Sequence, residues 1–142
     1  MKVTSIYTPD TQTKQLIPLV TSHIPAGFPS PADDFVDLKL DLNEHMVKHP
    51  AATFFVKVSG DSMIGAGIHD DDILVVDRSV QATNNSIIVA ALHGELMVKR
   101  YKIVQGKTFL YPENTAYKPV QVTTEMEFAV WGVVTYVIHK AV

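Results

Sequence analysis

The stretch Thr53-Phe54-Phe55-Val56-Lys57-Val58-Ser59-Gly60-Asp61-Ser62-Met63 decides how the chain is read. Its first half is apolar and β-branched, as a strand on a half-buried surface requires. Its second half abandons that period for Ser-Gly-Asp-Ser, a string of turn formers. A turn there lifts Ser62 out of the sheet. A serine hydroxyl is a poor nucleophile near neutrality unless a base takes its proton, so the chain must be searched for that base.

Lys99 meets the requirement. In Glu95-Leu96-Met97-Val98-Lys99-Arg100-Tyr101 strand alternation sets Met97, Lys99 and Tyr101 on one face, so the ammonium is flanked by apolar groups. Loss of hydration penalises the charged form of a lysine and lowers its pKa, which a serine-lysine pair needs. The residues alone also fit an ordinary turn and a lysine snorkelling from an edge strand.

Ser59-Gly60-Asp61-Ser62-Met63, Gly67-Ile68, Asp72-Ile73-Leu74-Val75-Val76-Asp77 and Val98-Lys99-Arg100 together resemble the UmuD branch of the LexA-type self-cleaving serine-lysine proteins. The resemblance runs from about Ala26 to the C-terminus. It implies a compact, mainly β core of the LexA/UmuD C-terminal type, related to signal peptidases, over residues 33–142. It also implies an extended, cleavable N-terminal arm over residues 1–32. The Ser62/Lys99 pair would cut the Ala26-Gly27 bond, with the main-chain amides of Asp61 and Ser62 holding the oxyanion. Pro25-Ala26-Gly27-Phe28-Pro29 is similar to the family's cleavage site, with Ala26 where Cys is more usual; both are small enough to approach a buried serine. Asp70-Asp71-Asp72 replaces a usual Asp-Gly-Asp, which places Asp71 at positive φ, a conformation aspartate tolerates better than most residues. Asn85-Ser86 replaces a usual Gly-Asp and leaves that turn type open.

The chain of 142 residues is long enough for one well-buried domain. Its cysteine count is zero, which excludes disulfides, thiol catalysis and cysteine-based zinc sites. The net charge of -3 argues against a large phosphate-binding face. Neither a signal peptide nor a run of about 20 apolar residues is present, so a cytoplasmic protein is expected.

Residues 1–32 carry Pro9, Pro18, Pro25, Pro29 and Pro31, which remove amide donors and hold their neighbours extended. Such an arm can lie as an added strand in a groove. Gln15-Leu16-Ile17-Pro18-Leu19-Val20 within it packs on the core or on a second copy; a sharper reading is a replication-clamp motif, with Ile17 and Val20 at the usual aromatic positions.

Residues 33–49 carry the helical signal: Asp41 and Glu44 form a capping-box pattern, Leu42, Met46 and Val47 share a face, and Pro50 ends the run. His45 and His49 are spaced i, i+4, but no Glu follows His45 as a zinc-protease motif requires, and no third ligand is evident. The triple aspartate lacks the glycine and closing glutamate of a calcium loop and reads as a solvated turn. No metal or cofactor is expected.

From Thr53 onward strands are predicted at 53–58, 73–77, 87–92, 96–104, 108–111, 120–123 and 128–138, with a His93-Gly94 hairpin turn. Regular short strands of this kind imply a mainly β fold with one short helical segment.

The resemblance implies an SOS-response accessory of error-prone translesion synthesis. Its partners would be a second copy of itself, a RecA filament on single-stranded DNA that stimulates the cut, and a UmuC-type Y-family polymerase. Competing readings are a LexA-like repressor, a signal-peptidase-like processing enzyme and a non-catalytic binding module. The repressor needs a helix-turn-helix, for which a proline-rich 32-residue arm is too short and irregular. No specific duplex binding is therefore expected. The processing enzyme normally needs a membrane anchor.

Overall fold

The computed structural model describes residues 1–13, 16–20 and 36–142, with backbone alone for 16–20 and 36–39. It divides into two compact units, residues 1–9 with 49–142, and residues 10–48.

In the larger unit the strands are β1 (Lys2–Tyr7), β4 (Thr53–Ser59), β5 (Ile73–Asp77), β6 (Ile87–Leu92), β7 (Glu95–Val104), β8 (Lys107–Tyr111), β9 (Val120–Gln121) and β10 (Phe128–Ile138). They form one sheet in the order β1-β4-β5-β10-β6-β7-β8-β9, and β1 also pairs with β7 through Lys2 and Met97. The sheet thereby closes on itself through β1. The fold is mainly β, as the sequence pattern requires.

Turn chemistry explains the connections. His93 and Gly94 have φ of 51° and 81°, and Gln105 and Gly106 have 51° and 74°. Paired left-handed residues twist a two-residue loop in the same sense as the strands it joins, so β6, β7 and β8 follow one another as hairpins. Asp71 adopts φ 71° and Asn85 φ 75°, so an acidic or amide side chain occupies each position where glycine would be easier. β10 pairs with β6 through its first half and with β5 through its second, and its register slips between Val130 and Gly132 and between Val134 and Tyr136. These irregularities bend one long strand across two neighbours.

Val56, Val58, Met63, Ile68, Leu74, Val76, Val89 and Val98 form the main core cluster, all at most 1% exposed. Ile88, Ala90, Leu110 and Val133 form a second, against which Met97 and Tyr101 pack. Full burial of a side chain of this size stabilises by about 1.5–3 kcal/mol. The site is thus built on rigid, densely packed strands.

The smaller unit pairs β2 (Leu16–Val20) with β3 (Val36–Asp41) and continues into α1 (Leu42–Met46). Asp41 caps α1 by accepting the Asn43 amide at 2.9 Å. The helix is much shorter than the span 33–49. Val36-Asp37-Leu38-Lys39-Leu40-Asp41 alternates apolar and charged residues at period two, and that strand signal wins as far as the cap. Among the described residues no helix is long and apolar enough to cross a membrane.

Candidate active site

β4 ends at Ser59, where the chain leaves the sheet through Gly60 at φ 102°, a conformation that favours glycine. Ser62 follows on a turn, 2% exposed, with Met63 anchored at 0% in the core behind it. The turn is held from a distant segment. The Glu113 amide donates to the Ser62 carbonyl and the Gly65 amide donates to the Glu113 carbonyl, both at 2.7 Å. A Cβ on Gly65 would stand 2.6 Å from that carbonyl oxygen, so the close approach excludes any side chain. Asn114 Nδ2 donates to the Asp61 carbonyl at 3.0 Å, and the Tyr117 hydroxyl donates to Asp61 Oδ1 at 2.5 Å. That bond to a carboxylate raises the Tyr117 pKa. Arg100 Nε donates to Glu113 Oε1 at 2.6 Å, linking this brace to β7.

Lys99 lies in β7 opposite the buried Ile88, between half-buried Met97 and Tyr101. Desolvation by burial lowers its pKa below the ordinary lysine value. This is the electrostatic state expected of it from the strand alternation.

The α-amine of Met1 connects the two regions. It donates to Ser62 Oγ at 2.5 Å, while the Met1 carbonyl accepts the Val98 amide at 3.0 Å. Burial, and next the charge of Lys99, lower the pKa of this amine to about 6, with Asp61 opposing them. One amine therefore touches Ser62 and responds to the field of Lys99. From it β1 runs along β4, with Val3 opposite Val58 and Tyr7 opposite Phe55. An extended segment thus lies along β4 and meets β7 at Met97, with its amino end on a buried serine.

Ala26 and Gly27 lie outside the described residues. His49 Nδ1 bonds Asp77 Oδ2 at 2.5 Å. Desolvation would raise the Asp77 pKa, but hydrogen bonds from the Ser79 hydroxyl, from His49 and from the Ser79 amide outweigh it and hold the carboxyl low. His49 is therefore engaged in a hydrogen bond to Asp77.

Sequence reasoning did not find Glu113, Asn114, Tyr117 or Met1 as neighbours of the serine turn. Pro112-Glu113-Asn114 signals a turn, but nothing local reveals that this turn braces another some fifty residues away.

Residues 18–135 match the Peptidase S24-like family. Protein MucA of Escherichia coli is 44% identical over 84% of this chain and 82% of its own length. Protein SamA of Salmonella typhimurium is 44% identical over 87% of this chain and 85% of its own. The LexA repressor of Stenotrophomonas maltophilia is 36% identical over 80% of this chain, which spans 51% of that repressor.

Proposed function

The chain belongs to the Peptidase S24-like family, and from that premise we propose that it is a self-cleaving serine endopeptidase of the UmuD kind. It acts in the cytoplasm as an SOS-response accessory of error-prone translesion synthesis. Lys99, neutral, takes the proton of Ser62, and Ser62 Oγ attacks the Ala26 carbonyl carbon. The main-chain amides of Asp61 and Ser62 stabilise the oxyanion. Collapse breaks the Ala26-Gly27 bond, and the Lys99 ammonium returns its proton to the departing Gly27 amine. Water, deprotonated by the same lysine, then releases residues 1–26 from the serine. The product is residues 27–142, which as a homodimer joins a UmuC-type polymerase. A RecA filament on single-stranded DNA stimulates the reaction.

The observation that carries this reading is the occupied cleft: an extended strand between β4 and β7 presents an amine to Ser62 Oγ, the position a leaving amine takes after peptide cleavage. The desolvation of Lys99 supports its role as base.

Mass spectrometry after incubation with RecA, single-stranded DNA and a nucleotide tests it, the expected fragment being residues 27–142. Gly27→Glu should block the cut in its own chain, because bulk and charge keep the bond from the cleft. The Gly27→Glu core should still cut an arm supplied by another chain, which a Ser62 variant should not. A fragment ending elsewhere, or unimpaired cleavage of Gly27→Glu, would reject the assigned bond.

A further inference from the structure

We propose that His69, Asp72 and His139 form a binding site for a divalent transition metal, zinc being the best match, made of residues that the peptidase chemistry does not use. The three side chains converge from the loop before β5 and the segment after β10, and one ligand atom from each lies within 4.8 Å of the others. Asp72 is 2% exposed and both its oxygens are oriented: Oδ2 accepts the His69 amide at 2.8 Å, and Oδ1 meets His139 Nδ1 at 2.6 Å. The His69 amide fixes the carboxylate as outer partners do in metal centres, while the His139 Nδ1 contact would give way to the ion.

His69 Nδ1 supplies the independent indication. Among the described residues this buried atom has no hydrogen-bond partner, with Asp72 Oδ2 3.8 Å away, too far to satisfy it. A buried polar nitrogen normally finds a partner, because leaving it unmade costs free energy. A cation between the rings and the carboxylate would fill that role. The two imidazole rings stand 4.6 Å apart between centroids and are tilted by 38°, so both can turn toward one point. Zinc bonds of about 2.0–2.1 Å place neighbouring tetrahedral ligands about 3.3 Å apart. The existing 3.8 Å separation needs little contraction, and His139 lies beyond the last strand, where its ring can shift.

The donor set selects the ion. Two imidazoles and one carboxylate favour zinc, copper or nickel over calcium or magnesium, which prefer oxygen ligands. An open depression of about 330 Å³ lined by Asp70, Asp71, Asp72, His139, Lys140 and Val142 gives access, and its carboxylates outnumber its one lysine. With Asp72 buried and the two histidine rings half-exposed, three protein ligands leave a fourth position on the solvent side for water or for a donor from another molecule.

Titration calorimetry of the full chain with zinc chloride tests the site. One zinc per chain is expected. At a hundredfold excess over Kd the melting midpoint should rise by about 9 °C, and a chelator should reverse the rise. His69→Ala and His139→Gln should each weaken binding at least tenfold, and the double variant should abolish it. His139→Gln changes an exposed ring and keeps the test valid if His69→Ala fails to fold. Absence of zinc binding would overturn the proposal. So would equal affinity in the wild type and His139→Gln, or survival of the ion in the double variant through the remaining histidines. Self-cleavage in the double variant at the wild-type rate would show that the metal site and the peptidase reading stand or fall separately.

Discussion

Ser62→Ala and Lys99→Ala will each leave a folded chain whose self-cleavage has fallen by at least about 10³-fold, since each removes a group that changes its bonding only during the reaction. The two substitutions should be non-additive, the double variant being no slower than either single one, because a nucleophile without its base and a base without its nucleophile are equally idle. Neither change removes a large apolar group. Ser62→Ala deletes the oxygen that accepts the Met1 amine, but the main chain of the turn is still held by Glu113 and Asn114. Lys99→Ala relieves a desolvated cation, so far-ultraviolet circular dichroism and the melting midpoint should remain close to wild type. Cleavage within about tenfold of wild type in either variant would remove that residue from the mechanism.

Lysine chemistry also fixes the pH dependence. Burial lowers the Lys99 pKa, so the neutral base becomes available below the ordinary lysine range of about 10.4. Below its actual pKa the neutral fraction, and with it the unstimulated rate, should rise about tenfold per pH unit. The rate should therefore climb from pH 7 toward 10 and level off where Lys99 is deprotonated. Docking of the arm would desolvate the lysine further, so a RecA filament that favours the docked state should accelerate most near pH 7 and least near pH 10. A hundredfold stimulation requires roughly 2.7 kcal/mol of differential affinity for that state. The check is the cleavage rate against pH with and without filament. A rate flat in pH while the protein stays folded would exclude lysine as the titrating base. Equal acceleration at every pH would separate docking from deprotonation.

How much of this was legible in the sequence differs between elements. The strands after residue 53 were, because Val, Ile and Phe runs alternate with turn residues whose backbone preferences are local. Asp71 stands where the resembled family usually has glycine, which implies positive φ, and the structure has 71°. The break in period and the apolar flanks single out Ser62 and Lys99 but fit an ordinary turn and a snorkelling lysine equally well, and only the resemblance favours the pair. The start of the helix was legible, since Asp41 caps α1 as the Asp41/Glu44 pattern predicts, while Val36, Leu38 and Leu40 ahead of it alternate at period two and form a strand. The braces from Glu113, Asn114 and Tyr117, and the place of β1 beside β4 and β7, depend on long-range closure. No pattern within a short window encodes closure of that kind.

β1 also acts as a plug in a ring of strands. Its pairing covers main-chain edges of both β4 and β7, and unpaired edges invite strand addition by other chains. Cleavage at Ala26-Gly27 would detach β1 along with the arm, converting two protected edges into an open slot for an incoming strand. Processing would then do more than shorten the chain: it would create a docking position that the uncut form fills with its own residues. The Val98 amide, which now donates to the Met1 carbonyl, reports on this directly. Its hydrogen exchange should be faster in purified 27–142 than in the uncut chain, and a partner that adds a strand should restore its protection. Unchanged exchange at Val98 would mean that the slot closes by itself.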